Sequence, residues 1–158
     1  MTYPPLISII TVSYNSASSI KRTWESVLRQ TFRDFEYIIV DGESTDGSLD
    51  IIRSFEADNL KTLIEKDHGI YDAMNKAISL SSGSYLLFLG ADDILYDERI
   101  LEKVAQILNR ERPHLLYGNV IYNTGRAFVS TLSFKTLLHN TIHHQAAFYS
   151  IDLFRAFK

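Results

Sequence analysis

Two adjacent carboxylates, Asp92 and Asp93, are the residues of this sequence best placed to do chemistry. They follow an apolar run at 85–89, which predicts a buried strand that holds its carboxyl end rigidly. Open α/β sheets bind ligands at the carboxyl ends of their strands. Two neighbouring acids repel each other unless a cation or a hydrogen-bond donor shares them, and a hard divalent metal with a phosphate ligand is the usual partner. The pair therefore predicts a metal site, with a solvated Asp-Asp turn as the alternative.

Polar residues also follow three earlier predicted strands, at 6–12, 35–40 and 60–64. They are Ser13, Tyr14 and Asn15 after the first strand, Asp41, Glu43 and Ser44 after the second, and Glu65, Lys66, Asp67 and His68 after the third. In a doubly wound sheet all these loops share one rim. An acidic rim suits a ligand that brings its own cation, or a sugar and a base that offer O–H and N–H donors.

Helical periodicity separates these strands and follows the fourth one. The predicted helices are one that ends near Thr31, one that starts at 44–48, one at 70–80 with Ile70, Met74, Ala77 and Ile78 facing inward, and one after Asp97. The order β-α-β-α-β-α-β-α predicts an α/β fold with a mainly parallel central sheet and helices on both faces.

The pattern changes after Pro113. Runs at 114–121 and 127–132, joined around 123–125, predict an antiparallel hairpin. A short helix at 134–138, a strand at 146–149 and a helix capped by Ser150 complete the prediction. Because the chain stops about two turns into that helix, we interpret it as a fragment of a longer protein whose C-terminal part is missing.

Composition excludes several classes of protein. The chain has 158 residues, 46% hydrophobic and 22% charged, which is ordinary for one soluble globular domain. A net charge of −3 without a Lys/Arg cluster argues against nucleic-acid binding. The absence of cysteine excludes disulfides and thiolate metal sites. Neither a signal peptide nor an apolar run of the roughly 20 residues that a membrane span needs is present, so we expect a cytoplasmic protein.

Familiar phosphate-binding loops are missing from the sequence. No G-x-G-x-x-G follows the first strand and no G-x-x-x-x-G-K-[ST] occurs, which excludes a dinucleotide fingerprint and a P-loop. The economical interpretation is a nucleoside diphosphate held by a divalent ion on Asp93.

Four segments in order also resemble one known family. Segments 8–15 (SIITVSYN) and 40–47 (VDGESTDG) look like the opening of family 2 inverting glycosyltransferases of the GT-A fold. Segment 65–78 (EKDHGIYDAMNKAI) is similar to one in bacterial polysaccharide members, and 83–93 (GSYLLFLGADD) resembles the D-x-D region. The resemblance implies a nucleotide-diphospho-sugar transferase, Rossmann-like, with 1–112 as the donor-binding half and 113–158 as the start of the acceptor-binding half.

The resemblance implies roles for several residues. Tyr14 would lie against the nucleotide base, or would simply cover the edge of the core. Asp41 would accept a hydrogen bond from the N–H of a uracil-type base, or would cap the next helix. The family often has a second acid after Asp41, where this chain has Gly42, so the contact could shift to Glu43. The remaining implied donor-binding residues are Thr11, Ser13, Asn15, Asp67, Asn75 and Asp92. For Asp67 the alternative is a helix cap, and for the Asn75 face it is an Asp72–Lys76 ion pair.

The same resemblance implies a metal ion and a catalytic base. Asp93, with Asp92, would ligate Mn²⁺ or Mg²⁺ bridging the diphosphate. An inverting transfer also needs a base for the acceptor hydroxyl. After Glu111 the only acid is Asp152, so the base lies beyond Lys158, or His143 or His144 contributes. Adjacent histidines before an apolar strand are more often structural.

The resulting hypothesis is a hexosyltransferase of bacterial surface polysaccharide synthesis. It would move a sugar from a UDP-sugar to a saccharide or lipid-linked acceptor with inversion, and such an acceptor would bring it to the inner face of a membrane. Two alternatives remain. One is a non-catalytic nucleotide-sugar-binding module; the other, a sugar nucleotidyltransferase, is disfavoured because the loop at 13–19 lacks glycine.

Overall fold

The computed structural model describes residues 3–131 and 142–156. Its strands are β1 (Ile7–Ser13), β2 (Phe35–Asp41), β3 (Leu60–Ile64), β4 (Tyr85–Phe88), β5 (Leu115–Tyr117), β6 (Val120–Ile121), β7 (Ala127–Phe128) and β8 (Ala147–Ser150). Its helices are α1 (Ile20–Leu28), α2 (Ser48–Arg53), α3 (Ile70–Leu80), α4 (Ile100–Glu111) and α5 (Ile151–Ala156), with a 3-10 turn at His144–Ala146.

The main sheet has the strand order β3-β2-β1-β4-β8-β5. β1 pairs in parallel with β2 and β4, and β2 with β3, whereas β8 runs antiparallel to β4 and β5. The chain runs outward from β1 to β3 and then returns to β4 on the other side of β1. This reversal creates a topological switch point between β1 and β4, where a ligand crevice is expected at the carboxyl ends. The predicted mainly parallel sheet with an antiparallel C-terminal part is confirmed.

Helices cover both faces of the sheet because its central strands are apolar on both sides. One core layer packs α1, α2 and α4 onto the sheet, and Trp24 stacks on Tyr37 and Phe55 at ring-centroid distances of 5.7 and 4.6 Å. The other layer packs α3 and α5 against Ile38 and Phe88. Burial on both faces fixes β1 and β4 as a rigid base for the loops that follow them.

The predicted strand at 114–121 is wrong, because the structure divides it. Leu115–Tyr117 joins the main sheet, and Val120–Ile121 forms a separate hairpin with Ala127–Phe128. The break occurs where Gly118 N–H donates to the Ala146 carbonyl at 2.8 Å and the Asn119 side chain accepts from Ser130 N–H at 3.1 Å. These bonds turn the chain out of the sheet.

Other boundaries differ from the sequence prediction by a few residues. α1 ends at Leu28, because Thr31 N–H donates to the Glu98 carbonyl instead of continuing the helix. α2 starts at Ser48, since Ser44 is bonded to Asp41. The predicted hairpin turn, the strand before Ser150 and the helix after it are all present. The predicted helix at 134–138 lies outside the described residues.

The buried carboxylate of Glu36 links β1, β2 and β3 near their amino ends, opposite the end that carries the switch-point crevice. Glu36, near the start of β2, accepts from Ser8 Oγ at 2.6 Å, from Ser82 N–H at 2.6 Å, from Gly83 N–H at 3.2 Å and from Lys61 Nζ at 2.6 Å. Burial pushes the pKa of Glu36 up, but the hydrogen bonds from Lys61, Ser8 and Ser82 outweigh it and hold the pKa below its usual 4.5. The ionised form therefore stabilises the fold.

We expect Glu36→Gln to lower the free energy of unfolding at pH 7 by about 1.5–3 kcal/mol, the range for hydrogen bonds to a charged group. Because the folded-state pKa is depressed, this stability is present above the unfolded pKa and is lost as pH falls through the folded pKa. The gap between wild type and variant, measured by urea unfolding, should thus narrow as the pH falls below the usual glutamate pKa of 4.5. Glu56→Gln, at an exposed position, is the control. A gap that stays constant with pH would contradict the assignment.

Candidate functional site

A cleft of about 740 Å³ opens at the switch point between β1 and β4. Its floor is formed by the ends of these strands and by 90–93, and one wall is the start of α3. The opposite wall is the 3-10 turn before β8, where His144 and Gln145 line the cleft. Both of these walls come from segments distant in sequence, so that only the folded sheet assembles the cleft.

Asp92 and Asp93 both line this cleft, and their carboxylates converge beside Gly90. A Cβ built at Gly90 would lie 2.6 Å from Asp93 Oδ2 and 3.1 Å from Asp92 Oδ1. Gly90 therefore leaves the space that both carboxylates share, and its N–H donates to Asp93 Oδ2 at 3.1 Å. In the part of the chain that is described, neither carboxylate is ion-paired with a Lys or Arg.

The environment of Asp93 disfavours its ionised form. Burial raises the pKa of Asp93, and the charge of Asp92 raises it further, while the Gly90 N–H bond and the charges of His144 and His143 act in the opposite direction. The half-buried Asp93 carboxylate and the exposed Asp92 carboxylate repel each other, and a cation would relieve this repulsion. This arrangement fits a hard divalent metal.

At the β2 side of the cleft, Tyr14, Gly42 and Asp67 form a second polar region. Asp67 Oδ1 accepts from Gly69 N–H at 2.8 Å, as a residue at a helix start does, and Oδ2 lies against Gly42. A Cβ at position 42 would collide with Asp67 Oδ2 and would come within 3.3 Å of the Tyr14 ring. Tyr14 is 67% exposed, so its ring does not cover the core.

Four predicted donor-binding residues lie behind or beside the cleft instead of lining it. Thr11 is fully buried; its hydroxyl contacts Tyr37 Oη and donates to the Leu89 carbonyl, both at 2.8 Å. Asp41 is also fully buried, and its two oxygens accept from the N–H and Oγ of Ser44 at 2.7 and 2.8 Å. The other two, Asn15 and Glu43, adopt positive φ angles of 50° and 63° in the loops that flank these bonds. Asn15 Oδ1 accepts from Thr45 N–H.

Asn75 is exposed on α3 and does not line the cleft. The neighbouring acid Asp72 accepts from His68 N–H at 3.0 Å and lies 3.6 Å from Lys76 Nζ, which also pairs with Glu65 at 2.8 Å. The alternative interpretation of this face, an Asp72–Lys76 pair, is therefore what the structure shows.

Of the predicted base candidates, only His144 reaches the cleft surface. His143 packs edge-to-face against Phe128, with ring centroids 4.4 Å apart, and its Nε2 lies 3.4 Å from Tyr122 Oη. Asp152 lies on α5, 3.5 Å from Arg155, with its side chain 70% exposed. It does not line the cleft.

Comparison with known proteins identifies the family. Residues 8–153 match the model of the family described as Glycosyl transferase family 2. The chain belongs to glycosyltransferase family 2. The predicted family is thus confirmed, and the match covers both the strands that form the cleft and the segment that carries His144.

Relatives of this family 2 domain carry glycosyltransferase names. A PGL/p-HBAD biosynthesis glycosyltransferase of Mycobacterium tuberculosis is 42% identical over 160 residues, which cover 95% of this chain and 61% of the relative. TuaG of Bacillus subtilis, named as a teichuronic acid biosynthesis glycosyltransferase, is 35% identical over 111 residues, or 68% of this chain and 44% of TuaG. The chain thus spans less than two thirds of the length of these relatives.

Solved structures show the same fold at low identity. Staphylococcus aureus TarS 1–349, in complex with UDP-GlcNAc, has a TM-score of 0.81 at 23% identity, covering 96% of this chain and 47% of that one. The mannosyltransferase PcManGT from Pyrobaculum calidifontis, in complex with GDP-Man and Mn²⁺, has a TM-score of 0.76 at 20% identity, covering 98% and 47%. The GT-A fold of the family 2 domain is confirmed.

Sequence reasoning missed part of the cleft of this family 2 domain. Ile70, predicted to face the core, is 53% exposed and lines the cleft at the first turn of α3. Gln145, to which no role was assigned from the sequence, also lines it, together with Lys66, which was expected on this rim. Residue spacing alone does not identify Gln145 as a cleft residue. The signal in the sequence is its position directly after His144. Within 3–131 and 142–156, no helix is long and apolar enough to span a bilayer.

Proposed function

We propose that this domain transfers a sugar from a UDP-sugar to a hydroxyl of a saccharide or lipid-linked acceptor, with inversion. The observation that carries the proposal is the convergence of Asp92 and Asp93 over Gly90, in a cleft at the switch point of a GT-A sheet. The names of the relatives support a role in surface glycan synthesis of bacteria. A lipid-linked acceptor would bring the domain to the inner face of a membrane.

The nucleotide base of the sugar donor would bind at the Tyr14 side of the cleft. Tyr14 offers an exposed aromatic face, and Asp67 Oδ2 beside it offers an acceptor for a base N–H. Asp41 would act mainly from behind the cleft, because each of its two carboxylate oxygens already accepts a hydrogen bond from Ser44. Uracil carries one N–H between two carbonyls, which suits a single carboxylate oxygen. A fold neighbour in complex with UDP-GlcNAc supports this choice.

Asp93 and Asp92 would hold Mn²⁺ or Mg²⁺. No group of three or more His, Cys, Asp or Glu suited to a metal occurs among the described residues, so the chain would supply two carboxylates. Mg²⁺ is commonly bound by one or two carboxylates together with substrate phosphates and water, which fits this donor set. When bound, the metal would neutralise charge on the departing diphosphate as a Lewis acid.

Residues 113–158 would begin the acceptor side of the site, and His144, which lines the cleft, would be a group there able to accept a proton. A second candidate function, a non-catalytic nucleotide-sugar-binding module, is favoured by one observation. Of the described residues that line the cleft, the only acids are Asp67, Asp92 and Asp93, all committed to the donor in this proposal. Transfer to an acceptor or hydrolysis of a UDP-sugar by the chain would exclude that alternative.

The test is calorimetric titration of UDP, GDP and dTDP into the chain, with and without Mn²⁺. We expect UDP to bind in a metal-dependent manner and more tightly than GDP, because a purine does not present the uracil N–H pattern. Preference for GDP or dTDP would overturn the uridine assignment and leave the donor site standing. If the folded protein bound none of the three, the proposed function would fail.

A further inference from the structure

Gln145 carries an unpaired oxygen in the wall of the cleft. Its Oε1 is closed off from solvent and has no hydrogen-bond partner among the described residues. Buried amide oxygens are nearly always paired, so an orphaned one requires an explanation. Gln145 also lines the cleft, so the missing partner is most simply a ligand group.

The backbone that carries Gln145 is held firmly. Gly118 N–H donates to the Ala146 carbonyl at 2.8 Å, and Ala146 N–H donates to the His143 carbonyl at 3.1 Å. The next residues enter β8, which pairs with β4 on one side and β5 on the other. What freedom remains lies in the side chain, whose terminal amide torsion is soft. We infer that the amide would reach a ligand in the cleft by rotation about that torsion.

Sheet order places Gln145 beyond the carboxylates. The cleft groups follow β2, β1 and β4 and precede β8, so Gly42, Tyr14, Asp93 and Gln145 succeed one another across the sheet. A donor with its base at Tyr14 and its diphosphate at Asp93 would therefore extend its sugar towards Gln145. An amide offers one acceptor and two donors side by side, which match the paired donor and acceptor character of adjacent sugar hydroxyls.

We propose that Gln145 binds hydroxyl groups of the transferred hexose and so helps to select the donor sugar. This inference rests on the proposed function, because it needs the uridine diphosphate at the positions given above. Gln145 is then a specificity-determining residue that contacts the sugar and leaves UDP itself untouched.

The test compares wild type with Gln145→Met, which keeps the length of the side chain and removes its amide. Affinities for UDP, UDP-glucose, UDP-galactose and UDP-N-acetylglucosamine are measured by calorimetry with Mn²⁺. We expect the variant to bind at least one UDP-hexose about tenfold more weakly, as the loss of a hydrogen bond implies, and to bind UDP as wild type does. The melting temperature should be equal or higher, because an unpaired buried oxygen is removed.

Ser130→Ala is the matched control, since Ser130 Oγ is also buried without a partner but does not line the cleft. Its affinities should equal those of wild type. Three results would each overturn the inference. Gln145→Met could bind all three UDP-hexoses as wild type does, or it could lose equal affinity for UDP and for a UDP-hexose. The third such result is a wild type that binds UDP but no UDP-hexose. Failure of wild type to bind UDP would instead overturn the proposed function beneath it.

Discussion

Asp93→Asn is expected to abolish the Mn²⁺-dependent part of UDP binding while the fold stays intact. Loss of a hydrogen-bond partner outside the ligand set typically lowers metal affinity by about 10–100-fold, and a ligand itself should cost at least the upper end. The amide retains an oxygen for the Gly90 N–H, so the local loop has no reason to change. Calorimetry with and without Mn²⁺ measures the effect.

The same substitution should leave thermal stability equal or raise it. Burial and the charge of Asp92 raise the pKa of Asp93, so that ionisation of this carboxyl is less favourable in the folded protein than in a solvated chain. A neutral amide removes both the desolvation cost and the repulsion. Asp58→Asn, at an exposed position, should change neither binding nor stability. Metal-dependent UDP binding that survives in Asp93→Asn would exclude Asp93 as a ligand.

Gly83→Ala is expected to lower the free energy of unfolding by about 3 kcal/mol, the upper end of the usual cost of overpacking. A Cβ at position 83 would lie 2.5 Å from Ser8 Oγ, 2.6 Å from Ser8 N and 2.9 Å from Ile7 C. Two of these atoms belong to the backbone of β1, which cannot yield without disturbing the central strand. For a chain of this size the melting temperature should fall by roughly 6–12 °C.

Gly118→Ala is the matched control for that measurement. The nearest atom to a Cβ at Gly118 is the Ala146 carbonyl oxygen at 3.8 Å, an ordinary contact. Its melting temperature should stay within a few degrees of wild type. A similarly small shift for Gly83→Ala would show that the turn before β4 can move away from β1, contrary to the close approach described above.

The part of the fold that sequence predicts well is the part where one short-range rule dominates. Short runs of apolar and aromatic residues such as 85–89 favour buried strands, and helical spacing marks the elements between the strands. The break at Gly118 escaped prediction because it depends on Ala146, a residue remote in sequence. Such tertiary hydrogen bonds leave no periodic signal.

The candidate site shows the same division. Asp92 and Asp93 were identifiable because the end of a buried strand fixes where they must lie. Sequence could not distinguish Asp41, whose oxygens turn towards Ser44, from Asp67, whose Oδ2 turns towards Gly42. Both are acids that follow a strand, and only the folded loops determine which one faces the cleft.

Gly42 and Asp67 share a single space, although 25 positions separate their numbers in the chain. In three dimensions a side chain at position 42 would have to displace the Asp67 carboxylate, because Oδ2 of Asp67 takes up that space. Substitutions at the two positions should therefore be interpreted as a pair, since the effect of either one depends on the other.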